Sequence, residues 1–133
     1  MSALPATVTL LFDGCCGFCT RSVGWLERLD RKGRVTIVPY QHPGAPEAHG
    51  LTLEQCEQAA RAVAPDGRCC SGAAAMNIAA AVALGNPLPV WLYERPPMRR
   101  LQDGLYRWVA RNRRRLPGVT PFCLQQPEAC ACS

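Results

Sequence analysis

Long apolar runs are missing from these 133 residues. The strongest one near the N-terminus, Val8 to Phe12, is far too short to cross a bilayer or to form a signal-peptide core. Ala73 to Leu84 is also apolar, but it has only the length of a buried helix. The chain therefore reads as the whole mature protein, made and kept in the cytoplasm. Lysine is nearly absent, with Lys32 alone among 15 basic residues. Aromatic residues make up 7% of the chain, and no stacking motif accompanies the arginines, which argues against a nucleic-acid reader. There is no internal repeat. A hydrophobic fraction of 48% against 19% charged residues excludes disorder as the main state.

Cysteine is what the chain has in excess. Nine are present, an odd number, and two pairs are adjacent in sequence: Cys15-Cys16 and Cys69-Cys70. Neighbouring cysteines seldom bridge each other, and no secretory signal is visible. The expectation is free thiols in a reducing compartment, serving redox chemistry or metal binding rather than a disulfide framework. The net charge is +5, with Arg95, Arg99, Arg100, Arg107, Arg111, Arg113, Arg114 and Arg115 concentrated late. We read this basic third as a solvated helix face. The other reading is an interaction module that offers its arginine face to an acidic partner.

Thr7 to Phe12 is β-branched and apolar and runs into Asp13-Gly14, which marks a buried strand ending in a turn. From Gly17 the period changes to that of a helix, with Val23, Leu26 and Leu29, joined by Phe18, Ser22 and Trp25, on the inward face. Gly33 stops it, and Arg34 to Val38 form a second strand ended by Pro39. Strand, crossover helix and strand make a βαβ unit with parallel strands. Thr52 with Gln55 has capping-box spacing. Pro65-Asp66-Gly67 marks a tight turn, so Arg61–Ala64 and Arg68–Ser71 read as a hairpin, with a continued helix as the alternative. Ala73 to Leu84 is a helix closed by Gly85-Asn86-Pro87. Pro96-Pro97 opens a last helix to about Leu116, docked through Leu101, Leu105, Trp108, Val109 and Leu116. Residues 117–133 form an irregular, cysteine-containing tail beyond a domain of residues 1–116.

Chemistry concentrates in Asp13-Gly14-Cys15-Cys16-Gly17-Phe18-Cys19. Cys16-x-x-Cys19 falls where a strand ends and a helix begins. Unpaired N–H groups and the helix dipole favour negative charge there, and this lowers the pKa of a cysteine. Cys16 is then the nucleophile. Cys19, three residues on and on the same side of the helix, is the resolving thiol. Asp13 has two readings: a carboxylate relaying a proton to or from Cys19, or an Asx-turn and capping residue.

The competing chemistry is a cysteine-ligated zinc or copper site. It would need two further ligands, and a second Cys-x-x-Cys is lacking. Cys123, Cys130 and Cys132 are candidates, with His42 and His49 weaker ones. Cys130-x-Cys132 has a further reading, as a second dithiol that exchanges with Cys16 and Cys19. Cys15 reads as a small bystander, and Cys56, Cys69 and Cys70 as small hydrophobes in helix or strand.

The Asp13-x-x-Cys16-x-x-Cys19 arrangement after an apolar strand resembles the DCC family of thiol-disulfide oxidoreductases. So do Gly50-Leu51-Thr52, Pro65-Asp66-Gly67-Arg68, Tyr106-Arg107-Trp108 and Ala110 to Leu116. The resemblance spans about residues 7 to 123. It implies a thioredoxin-like α/β fold, supports the hairpin, and implies dithiol–disulfide exchange on a protein or small-molecule disulfide. No cofactor is implied beyond a thioredoxin or glutathione reductant system, and no membrane partner. Cys123 matches a cysteine often found after the last helix of relatives. Two departures stand out. Glu57-Gln58-Ala59-Ala60 occupies the place where thioredoxin-like enzymes carry a cis-proline, and Gly72-Ala73-Ala74-Ala75 lacks an acidic residue that relatives often show.

Overall fold

The structure, a computed structural model, describes residues 4–113, 115–126 and 130. Arg114 and Cys132 lie outside the described residues. Strand β1 (Val8–Phe12) alternates its side chains between two faces, as a strand must. Val8, Leu10 and Phe12 enter one buried cluster and Leu11 another. Being buried on both faces makes β1 a central strand, with β2 (Val35–Pro39) parallel on one side and β3 (Arg61–Val63) antiparallel on the other. β4 (Cys69–Ser71) completes the hairpin, and the sheet order is β2-β1-β3-β4. The expected turn at Pro65-Asp66-Gly67 joins the hairpin strands, so the continued-helix alternative falls.

The first face of the sheet is covered by α1 (Gly17–Leu29) and α4 (Ala73–Leu84). Val23 and Leu26 of α1 meet Ala75, Ala79, Val82 and Ala83 of α4 over Leu10 and Ala62. Alanine is the good helix former that also lets backbone lie close to the sheet. The opposite face is covered by α2 (Ala45–Ala48) and α3 (Leu53–Gln58), through Ala45 and Cys56 against Leu11 and Val63. The capping box expected at Thr52 is present in both directions, Thr52 with Gln55. Asp30 takes the N–H groups of Arg34 and Val35 on its two carboxylate oxygens, which fixes where β2 begins. This is the thioredoxin-like arrangement of a mixed four-stranded sheet with helices on both faces.

After α4 come α5 (Leu88–Tyr93) and α6 (Pro96–Asn112). Here the expected docking holds only in part: Val109 and Leu116 are half-buried, but the rest of the stripe is not. Leu101, Leu105 and Trp108 are 64%, 58% and 50% exposed. The helix is turned instead by directional polar contacts. Tyr106 Oη accepts the Ala60 N–H at 3.0 Å, Asn77 donates to Gln102 at 2.6 Å, and Tyr93 donates to Asp103 at 2.6 Å. Tyr106 and Val109 therefore face inward. The helix also stops at Asn112 rather than Leu116. The α1 face is rotated in a similar way, since Thr20 is buried beside Val23 and Leu26 while Trp25 and Leu29 are exposed. Within the stretch read as irregular, Phe122–Gln125 form one helical turn, α7. Among the described residues, no helix is long and apolar enough to cross a membrane.

Candidate active site

β1 delivers its last residue, Phe12, to the sheet edge, and the turn that follows sets the site. Asp13 Oδ1 accepts the Cys15 N–H at 2.9 Å, an Asx turn, while the Cys16 N–H reaches the Asp13 carbonyl at 3.3 Å. Gln41, just past β2, closes this corner: its amide nitrogen donates to Asp13 Oδ1 at 2.7 Å and its oxygen takes the Gly14 N–H at 2.9 Å. The chain then enters α1 with Cys16 as its N-cap, in extended backbone conformation.

The Cys16 sulfur does what a capping oxygen usually does. It accepts the Cys19 N–H at 3.3 Å. The Cys19 thiol also donates to it, and this hydrogen bond is the largest reason that the Cys16 pKa is lowered to about 6. Burial opposes the shift, the backbone N–H and the Arg113 charge assist it, and Asp13 opposes it. The same hydrogen bond pushes the Cys19 thiol up, and burial adds to this. The two shifts run in opposite directions, favouring the thiolate at Cys16 and the thiol at Cys19, an arrangement suited to exchange chemistry.

Arg113 completes the site. One guanidinium nitrogen lies 2.9 Å from Asp13 Oδ2 and the other 3.6 Å from Cys19 Sγ. Reading this arginine with a solvated basic face was an error. It stands seven and four residues after Tyr106 and Val109, so helical period places it on their inward side. That period becomes a signal only once the inward side of α6 is known. Gln41 gave none, since a lone glutamine after a strand has no pattern. Asp13, Cys16 and Cys19 are thus brought together, with Arg113 linking the first and third. Both Asp13 oxygens are occupied by donors, and one holds the Asx turn. A cavity of about 430 Å³ adjoins them; its wall includes Cys19, Asp13 and Arg113 together with Phe18, Met76 and Val109. The end of α3 and the two residues after it, Glu57 to Ala60, also line it.

The other cysteines are sorted differently from expectation. Cys15 is disulfide-bonded, not a bystander. Cys123 and Cys130 are joined to each other, so neither is a free metal ligand. This also removes Cys130-x-Cys132 as a second dithiol in the structure described. Cys56 is buried as expected of a small hydrophobe, and Cys70 is half-buried, but Cys69 is exposed. Among the described residues, no three or more His, Cys, Asp or Glu side chains are placed so that they could hold a metal ion.

A Cys-x-x-Cys at the first turn of the helix that follows the central strand of such a sheet marks a thioredoxin-like dithiol protein. Residues 10–119 match the model of the DCC1-like thiol-disulfide oxidoreductases, and the chain belongs to that family. Comparison with curated proteins and with solved structures gave no match.

Proposed function

We propose that this protein reduces disulfides through Cys16 and Cys19. The Cys16 thiolate attacks one sulfur of a substrate disulfide, and the other sulfur leaves as a thiolate that takes up a proton. Cys19 then gives up its proton and attacks the Cys16 sulfur. This forms the Cys16–Cys19 disulfide and releases the second substrate thiol. A thioredoxin or glutathione system of the cytoplasm returns the two electrons. Arg113 balances the charge that develops on Cys19 as its proton leaves. Asp13 is a positioning residue: it holds the turn that presents Cys16 and anchors Arg113. The apolar cavity beside Cys19 receives part of the disulfide-bearing protein or small molecule.

The observation that carries this reading is the Cys16 sulfur as N-cap of α1, accepting from Cys19. The test is reduction of insulin or of a glutathione mixed disulfide by wild type and Cys16→Ser. The variant loses activity while its melting temperature stays close to wild type. Full activity in Cys16→Ser would remove the proposal.

A further inference from the structure

The segment after α6 returns to the N-terminal end of α1 and is held there by its main-chain N–H groups. The Val119 N–H donates to Gly17 O at 3.2 Å, the Cys123 N–H to Gly14 O at 2.9 Å, and the Phe122 N–H to Thr20 Oγ1 at 3.0 Å. Phe122 sets its ring edge-on to Phe12, centroids 5.5 Å apart. A Cβ on Gly14 would stand 2.6 Å from Cys123 Sγ, so this sulfur rests against the backbone two residues before Cys16. The Cys123–Cys130 bond spans seven positions within this one segment. It does not tie the segment to the rest of the fold, and a loop so short gains little from closure. Its stabilising value does not account for its place. What distinguishes that place is the neighbouring pair, Cys16 and Cys19, which are free thiols while Cys123 and Cys130 are oxidised.

We propose that Cys123–Cys130 is a second redox centre that exchanges directly with the Cys16–Cys19 dithiol. The inference rests on the reading of Cys16 as the nucleophile. The Cys16 thiolate attacks Cys123 Sγ, the Cys123–Cys130 bond breaks, and Cys130 leaves as a thiolate that takes up a proton. Cys19 loses its proton and attacks Cys16 Sγ, which releases Cys123 as a thiolate to be protonated in turn. Two electrons have moved, with one disulfide broken and one formed. No oxidant or reductant outside the chain is consumed, and because Cys16 starts as a thiolate the exchange takes up one proton from solvent. The Cys16–Cys19 pair meets external disulfides and thiols, and the second centre holds or supplies two electrons behind it.

The test uses full-length Cys19→Ser/Cys130→Ser, in which Cys16 and Cys123 each lack their own partner. After treatment with oxidised glutathione, peptide mapping should find Cys16 joined to Cys123 in most molecules, and the linkage should vanish when Cys16→Ser is added. Separate glutathione adducts on the two cysteines, or Cys123 joined to a different cysteine, would overturn the proposal. A second measurement needs no change in the C-terminal segment. Dithiothreitol should reduce Cys123–Cys130 at least tenfold more slowly in Cys16→Ser than in wild type, and equal rates would also overturn it. Reaction of wild-type Cys16 with an external disulfide is read separately. If that reaction is absent while the Cys16–Cys123 linkage forms, the oxidoreductase reading fails and the proximity of the centres stands.

Discussion

Cys16 owes its acidity to several neighbours of unequal weight, and substitutions can rank them. Its alkylation rate with iodoacetamide should rise to half its maximum near pH 6, as the thiolate forms. A midpoint in the ordinary range, about 8.5, would show that the helix end and Cys19 do not act on it. Because the hydrogen bond from Cys19 is the largest cause, Cys19→Ala should raise the midpoint more than Arg113→Gln. The Arg113 effect passes through a partly exposed group and should be the smaller of the two. Arg113→Gln has a second consequence, since it leaves the largely buried Asp13 carboxylate without its cation. The loss in unfolding free energy should be about 1–2 kcal/mol by urea denaturation. No change in either reading would return Arg113 to the solvated face.

At the scale of elements, close backbone approach holds the post-α6 segment on α1. A Cβ on Gly118 would fall 2.4 Å from the Gly17 carbonyl carbon and 2.5 Å from the Phe18 nitrogen, both backbone atoms that cannot swing aside. Gly118→Ala should therefore cost about 1–3 kcal/mol. Gly104, inside α6, meets nothing within 4 Å. Gly104→Ala should stabilise by about 0.5–1 kcal/mol through helix propensity alone. Opposite signs in urea melts of the two variants support the described seating, and equal effects would contradict it. The rotation of α6 is open to the same method. Tyr106→Phe removes the acceptor for the Ala60 N–H and should cost about 1 kcal/mol.

For the molecule as a whole, stability comes from the two faces of the sheet and not from the outer stripe of α6. Leu10→Ala, in a side chain with no exposure, should cost about 2–5 kcal/mol. Leu101→Ser should stay within about 0.5 kcal/mol of wild type in thermal and urea unfolding. A large loss in Leu101→Ser would restore the docked stripe that periodicity suggests.

Elements with strong local signatures were legible in the sequence: the βαβ start, the capped α3 and Cys16-x-x-Cys19 at a helix entrance, with the turn at Pro65-Asp66-Gly67 favouring the hairpin over a continued helix. In each of these, period, turn chemistry and cap chemistry are contained within a few neighbouring residues. Asp13 was legible as an Asx-turn residue for the same reason, since its partner is two residues away. Which side of α6 faces inward was set by long-range contacts. Apolar spacing names an amphipathic stripe, but Tyr106, Gln102 and Asp103 fix the rotation through partners 46, 25 and 10 residues distant. The same limit hid Gln41, Arg113 and the seat of Cys123. Their roles arise from contacts 28, 94 and 109 residues across the chain, and a local pattern carries no information about which distant groups the fold will bring to one corner.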